Sequence, residues 1–242
     1  MKVLVLSDIH GNLEAMEAVL NAASAENWKE LWFLGDLCGY GPDPEKCYRR
    51  LLAEKYIFIP GNHDLYLCGR LKGDFFSKEA RRALITSRSL ISGEMETHMK
   101  MLPAYRERKG FLLVHGSPLE PSRDYILGED KAADCFRKAS KKWTLFGHSH
   151  VQEYYSSRKG IISSSRTADG DRVSLKGKKM LINPGSAGQP RDGNPEAAWG
   201  ILDTGSREFT FRRTPYDIAL TQSKMRAAGF SDFLIERLSR GK

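Results

Sequence analysis

Apolar residues come in short blocks along this chain, and most blocks stop abruptly at a polar or glycine residue. Residues 2–7 form a valine and leucine run with no alternating polar positions. Such a run fits a strand covered on both faces. Leu13, Met16, Val19 and Leu20 follow at helical spacing, so the first unit reads strand, polar turn, helix. Residues 31–34 and 56–59 repeat the strand pattern. Between them Pro44 suits the first turn of a helix reaching about Lys55. Residues 65–102 read mainly as helix, with Ala80, Ala83, Leu84, Leu90 and Ile91 free for packing. Residues 111–114 and 143–146 are again apolar strands, separated by a helical stretch at 129–140. Strands alternating with helices predict an α/β sheet.

From 151 to 213 the pattern changes to short β segments separated by turns, at 151–155, 160–164, 173–175, 180–182, 198–203 and 209–212. Asp169-Gly170 and Lys176-Gly177 carry hairpin chemistry. Residues 215–240 predict one or two amphipathic helices broken near Gly229, with Leu220, Met225, Phe230, Phe233, Leu234 and Leu238 as apolar positions. No repeat or low-complexity linker interrupts the chain. Residues 1–242 are therefore expected to form one domain, with 215–242 as a helical tail packed on it.

Composition narrows the class. At 242 residues a core can form without disulfide or metal staples. The 40% hydrophobic and 28% charged content excludes wholesale disorder, collagen and coiled coil. The longest apolar runs, such as Val3 to Leu6, fall far short of the roughly 20 residues of a bilayer span. The N-terminus lacks a secretory pattern, so a cytoplasmic protein without membrane contact is expected. Cys38, Cys47, Cys68 and Cys135 are irregularly spaced, which predicts reduced thiols near the core and no zinc-thiolate site.

Charge is uneven. Residues 1–69 sum to −4 and 137–179 to +8, in a chain of net +8. The acidic block holds carboxylates that a cation would want. The basic block, with Lys138, Lys141, Lys142, Arg158 and Lys159, reads as a solvated face, because aromatics for base stacking are few there. Specific nucleic-acid binding is not expected.

The ends of the predicted strands carry the chemistry. Asp8 and His10, Asp36, His115, and His148 with His150 each follow an apolar run at once, and Asn62 and His63 come just after another. Ligand crevices of open α/β sheets lie at the carboxyl ends of the strands, so these groups should converge. A lone histidine in such a place is usually structural, but five of the six histidines stand at these ends. Asp8 with His10 and His148 with His150 are spaced i, i+2, which on an extended backbone points both side chains one way. Carboxylate, imidazole and amide donors suit divalent Mn, Fe, Zn or Ni. Their number exceeds what one ion needs, so two ions sharing a carboxylate are expected.

Asp8-x-His10, Gly35-Asp36, Gly61-Asn62-His63-Asp64, His115 and Gly147-His148-x-His150 resemble, in order and interval, the motif blocks of the calcineurin-like metallophosphoesterases. The resemblance spans roughly residues 1–205, and the run from Asn183 to Pro195 is similar to the small bacterial and archaeal phosphoesterase branch. It implies an α/β fold, a four-layer α/β/β/α sandwich of two mixed sheets flanked by helices. It also implies one metal on Asp8, His10, Asp36 and His150, and a second on Asp36, Asn62, His115 and His148. The implied reaction is hydrolysis of a phosphomonoester or phosphodiester by a metal-bridging hydroxide. His63 would be the general acid, and Asp64 would orient or charge-pair a histidine, helix capping being its alternative.

The expected partner is a phosphorylated small molecule or nucleotide. A dinucleoside polyphosphate of the diadenosine tetraphosphate type is the second reading. A non-catalytic scaffold is the third, disfavoured because no ligand position is missing. Asn183 and Arg191 could approach substrate phosphate or serve as turn residues. Tyr40 could line the pocket or pack its own loop.

Overall fold

The apolar blocks become the central strands of two mixed sheets. In the computed structural model, which describes all 242 residues, β1 (Lys2–Leu6), α1 (Leu13–Ala23), β2 (Glu30–Phe33), α2 (Pro44–Leu52) and β3 (Tyr56–Phe58) open the fold as parallel strands joined by helices. Three helices follow, α3 (Asn62–Leu67), α4 (Lys78–Arg88) and α5 (Gly93–Met101), then β4 (Tyr105–Arg108), β5 (Phe111–Val114), α6 (Glu129–Lys138) and β6 (Trp143–Leu145). The second half is β-rich: β7 (Gln152–Arg158), β8 (Ile161–Arg166), β9 (Arg172–Ser174), β10 (Lys179–Pro184), β11 (Ala197–Asp203) and β12 (Glu208–Thr214). It closes with α7 (Ile218–Ala227) and α8 (Asp232–Arg240).

One sheet has the order β3-β2-β1-β11-β12-β9 and the other β4-β5-β6-β10-β7-β8. β1, β2 and β3 are parallel, as are β5, β6 and β10. Their carboxyl ends therefore form one rim.

The uninterrupted apolar run of β1 has a simple cause. Val3 and Val5 join Trp32, Phe111, Leu145 and Phe209 in the layer between the sheets. Leu4 and Leu6 face the other way, into a cluster with Met16, Val19 and Leu51 of the covering helices. Both faces exclude water, and each such side chain contributes about 1.5–3 kcal/mol relative to exposure. The outer face of the second sheet is covered by α6, through Ala132, Cys135 and Phe136 against Leu112, Val114 and Leu181. The layers are therefore helix, sheet, sheet, helix. Coverage is unequal: 36 buried residues form the cluster outside the first sheet and 9 the one outside the second. The four cysteines are buried and free. No helix is long and apolar enough to cross a membrane.

Two details differ from the sequence pattern, and the tail follows it. The stretch 65–102 breaks into separate helices, because Ser77 and Ser92 accept hydrogen bonds from the N–H groups of Ala80 and Met95 and start new ones. β4 is a strand the pattern does not predict. All four of its residues are exposed, so an edge strand of this kind shows no apolar alternation. The tail is two helices separated at Gly229, whose φ of 81° favours glycine. Met225, Phe230, Leu234, Ile235 and Leu238 bury it against the first sheet's helices.

Candidate metal centre

Five strand ends deliver the candidate ligands. Asp8 and His10 follow β1, Asp36 follows β2, Asn62 and His63 open α3 after β3, His115 follows β5, and His148 and His150 follow β6. All are at most 5% exposed. The turns are not extended backbone. Asp8, His10, Asp36, His148 and His150 have φ between 49° and 66°, the left-handed region that non-glycine residues seldom adopt. Each i, i+2 pair is thus aimed by two left-handed residues, and the extended geometry expected from the sequence is replaced by a tight turn. The surroundings hold that conformation. Asp8 N–H donates to Gly35 O at 2.9 Å, His10 N–H to Asp36 O at 2.9 Å and Gly11 N–H to Leu37 O at 2.7 Å. Strained backbone of this kind persists where neighbouring structure over-determines it, commonly at active sites.

Four histidines are fixed by backbone carbonyls. His10 Nδ1 lies 2.7 Å from Cys38 O, His115 Nδ1 2.8 Å from Leu34 O, His150 Nδ1 2.6 Å from Gln189 O and His148 Nε2 3.0 Å from Arg123 O. A carbonyl can only accept, so each of these nitrogens carries a proton, and in a neutral ring the other nitrogen presents a lone pair. That is the arrangement that orients metal-binding imidazoles.

The free nitrogens face one another and the carboxylates. His10 Nε2 and His150 Nε2 are 3.1 Å apart, two lone pairs in opposition unless a cation lies between them. Asp8 Oδ1 is buried without a hydrogen-bond partner and lies 3.3 Å from His150 Nε2. His115 Nε2 lies 3.3 Å from Asp36 Oδ2 and 3.1 Å from Asn62 Oδ1.

Donor atoms of Asp8, His10 and His150 lie within 4.8 Å of one another, as do those of Asp36, His115 and His148, and those of His10, Asp36 and His63. Asp36 belongs to two of the three groups. Nitrogen and oxygen donors of this kind, with orphaned lone pairs, fit divalent cations of borderline hardness.

The electrostatics agree for Asp36 and for three of the four rings. Burial would raise Asp36, but His115 and His63 hold it well below the usual carboxylate range. Burial pushes His10, His148 and His150 well below their ordinary value, which keeps the imidazoles neutral, as metal binding requires. Burial also lowers His115, yet the charge and hydrogen bond of Asp36 outweigh it and carry the ring up to about 9.

His63 comes into the same space. Its backbone N–H donates to Asp36 Oδ1 at 2.9 Å, its Nε2 is 4.0 Å from Asp36 Oδ2, and its Nδ1 is buried without a partner. Burial pushes it down to about 4, with Asp36 opposing.

Asp64 behaves otherwise than as a histidine's partner. Its oxygens accept from the backbone N–H groups of Leu37, Cys38 and Gly61 at 3.2, 3.0 and 3.0 Å. It ties the loop after β2 to the start of α3, which is the capping alternative. Burial and the charge of Asp36 push it up to about 7, against those three donors. Gly61 is required at this seam, because a Cβ there would collide with the Asp36 carboxylate.

Of the remaining candidates, Tyr40 lines the site, its ring 4.6 Å from that of His10 and 4.7 Å from that of His63. Arg191 stands over Tyr40 at 5.4 Å, with a buried Nε that has no partner. Asn183 is buried, and its amide donates to Gly147 O and Ser149 Oγ at 2.9 and 3.0 Å. It supports the loop bearing His148 and His150, and its donors are spent there. The sequence reading misses Tyr125, which stacks on His148 at 3.8 Å and is 43% exposed. It also misses the carbonyls of Cys38, Leu34, Arg123 and Gln189. Backbone acceptors leave no trace in a sequence, and Tyr125 sits in a loop of unremarkable composition.

Residues 1–207 match the profile of the calcineurin-like phosphoesterase superfamily domain. A solved metallophosphoesterase from Sphaerobacter thermophilus is 35% identical and superposes with a TM-score of 0.89, covering 100% of this chain and 99% of that one. An uncharacterised protein of Methanocaldococcus jannaschii is 32% identical over 99% of this chain and 98% of its own length. The Escherichia coli phosphodiesterase YfcE is 25% identical over 84% of this chain and 88% of its own. A symmetrical bis(5'-nucleosyl)-tetraphosphatase of Psychromonas ingrahamii is 28% identical over 48% of this chain and 44% of its own.

Proposed function

This chain belongs to the calcineurin-like phosphoesterase superfamily and is a metal-dependent phosphoesterase, and on that footing we propose that it hydrolyses phosphomonoester or phosphodiester bonds at a two-cation centre. Asp8, His10, Asp36 and His150 would hold one ion, and Asp36, Asn62, His115 and His148 the other, with Mn, Fe, Zn or Ni suiting the donors. The observation that carries this reading is the set of four histidines whose outer nitrogens are tied to carbonyls while their inner nitrogens converge on Asp8 and Asp36. Bound divalent ions would supply Lewis acidity toward the phosphoryl oxygens and make water acidic enough to react near neutral pH.

The chain's own groups do the rest. Asp36, held ionised by the histidines around it, and the buried Asp8 fix where positive charge can sit. His63 Nε2, facing Asp36, passes a proton to the leaving oxygen. Its ring is neutral in the free protein, and a phosphate dianion beside it favours protonation by simple attraction. Arg191, with an unpartnered Nε beside Tyr40, orients a phosphoryl oxygen, and Tyr40 excludes water. We read residues 1–242 as one domain acting in the cytoplasm on dissolved substrates.

A dinucleoside polyphosphate is the second reading. The rim favours it, since Tyr125 and Phe75 are 43% and 40% exposed and the Arg123 guanidinium lies 5.3 Å from the Phe75 ring. Such a lip offers stacking faces for bases beside charge for phosphates.

Replacing Asp36 with Ala tests the centre. The variant is expected to lose bound metal, measured on the protein as purified, and all turnover of an activated aryl phosphate. Retained turnover would defeat the proposal. A parallel screen of nucleotides against aryl phosphates separates the two substrate readings.

A further inference from the structure

The surplus positive charge of residues 137–179 gathers at one place, at the end of the sandwich away from the metal centre. A cavity of about 780 Å³ opens there, and a second of about 570 Å³ adjoins it through Arg158, Lys159 and Lys178. Lys142 and Trp143 stand at the entry to β6, and Arg158 and Lys159 at the β7–β8 turn. Lys178 and Lys179 lead into β10, and Arg207 comes from the turn between β11 and β12. Trp143 opens β6, whereas His148 lies beyond the carboxyl end of that strand. No carboxylate lines either cavity.

Most of these cations are uncompensated. One lining cation, Arg137, pairs with Asp134, and the neighbouring Lys141 and Arg172 pair with Glu107 and Glu208. Lys142, Arg158 and Lys159 have no acidic partner. Lys179 donates to Phe136 O at 2.9 Å, Arg207 lies over the Trp143 ring at 5.2 Å, and Lys178 lies 6.0 Å from the Tyr154 ring. Like charges crowded on one surface repel unless an anion joins them. Hydroxyls of Ser157, Ser163 and Ser174 line the same walls and supply hydrogen-bond donors.

We propose that this groove binds a compact polyanion made of linked phosphates, free in solution, at a place separate from the metal centre. Concavity favours a small ligand over a nucleic-acid track, the larger cavity falling within the roughly 300–1,000 Å³ of small-molecule sites. The aromatic rings argue the same way. Trp143 and Tyr154 each already have a cation against the ring, so neither offers the open stacking platform that bases use.

The test is titration of inorganic tripolyphosphate into the protein as purified, by calorimetry, at two ionic strengths. Wild type is compared with Lys142→Glu/Arg158→Glu/Lys178→Glu and with the milder Lys142→Gln/Arg158→Gln/Lys178→Gln. The expected result is an affinity weakened at least about tenfold in the charge-reversed protein, less in the neutral one, and reduced by salt in wild type, since exposed charges are screened beyond about 8 Å at physiological ionic strength. Hydrolysis of an aryl phosphate stays unchanged in both variants. If wild type and the glutamine variant bind tripolyphosphate equally, the proposal is wrong. Tighter binding of a single-stranded oligonucleotide than of tripolyphosphate also overturns it, and makes the face a nucleic-acid surface instead.

Discussion

The two ends of the sandwich put charged side chains to opposite use. At the carboxyl ends of β1, β2, β3, β5 and β6, ionisable side chains are at most 5% exposed and held by backbone carbonyls and N–H groups. At the other end, Lys142, Arg158 and Lys159 stand in solvent on flexible stems. Burial makes the first set costly, and every group there needs a partner or a shifted pKa. It also makes the set directional, since each lone pair has one place to point. The exposed set is cheap to keep and can gather an anion, but it fixes no geometry fine enough for bond breaking. The proposed hydrolysis therefore falls at the end where the backbone is strained and the side chains are dry.

The contrast can be broken at its strong end first. His63→Gln is expected to lower kcat by about 10²–10⁴-fold while bound metal stays at the wild-type level, measured by steady-state kinetics and metal analysis of one preparation. Loss of metal along with turnover would instead make His63 a ligand, which its place in a cluster with His10 and Asp36 permits.

A subtler change at the same end is Gly61→Ala. The added methyl meets the Asp36 carboxylate, and displacement of that group by even 1 Å should reduce turnover on the order of 10²-fold. Normal turnover in a folded Gly61→Ala protein would show that the seam between the β2 loop and α3 has more room than the geometry allows.

The smallest of these effects belongs to the other end, where Glu30 begins β2. This carboxylate is 4% exposed and accepts from Arg108 at 2.7 Å and from Trp32 Nε1 at 3.1 Å. Glu30→Gln should cost about 1–3 kcal/mol, because Arg108 loses its charge partner and the buried indole N–H a strong acceptor. The Arg108 hydrogen bond holds the Glu30 carboxyl below its ordinary 4.5, outweighing burial. A depressed folded value means that this stabilisation is complete above pH 4.5 and fades as pH falls through the lowered value. Urea unfolding at pH 7 and at pH 3 should therefore show a smaller difference between variant and wild type at the lower pH. An equal difference at both would detach the pair from the acid limb.

Much of this could be read before any coordinates, and the reason lies in particular residues. Asp8, His10, Asp36, Asn62, His115, His148 and His150 were recognisable because apolar strands must end somewhere, and a metal-capable group at each end is chemically conspicuous. The layers of the fold were legible for a similar reason, since a strand such as β1 that shows no polar alternation must be covered twice. Less legible were β4, whose four exposed residues carry no apolar signal, and the separation of α3, α4 and α5, which depends on serine caps inside an otherwise helical stretch. The role of Asp64 was ambiguous, because a carboxylate three residues into a motif can face a histidine or the backbone with equal ease. Tyr125 was invisible.

The amino-acid order thus determined which groups stand at the strand ends and which faces of the strands are dry, because periodicity and abrupt polarity changes are local properties. Tertiary structure alone decided that five of the candidate ligands adopt left-handed backbone, that four imidazoles surrender one nitrogen to distant carbonyls, and that cations spread over seventy residues of chain meet in one groove. Those are relations between segments far apart in sequence, set by how two sheets pack, and no local pattern encodes the distance between them.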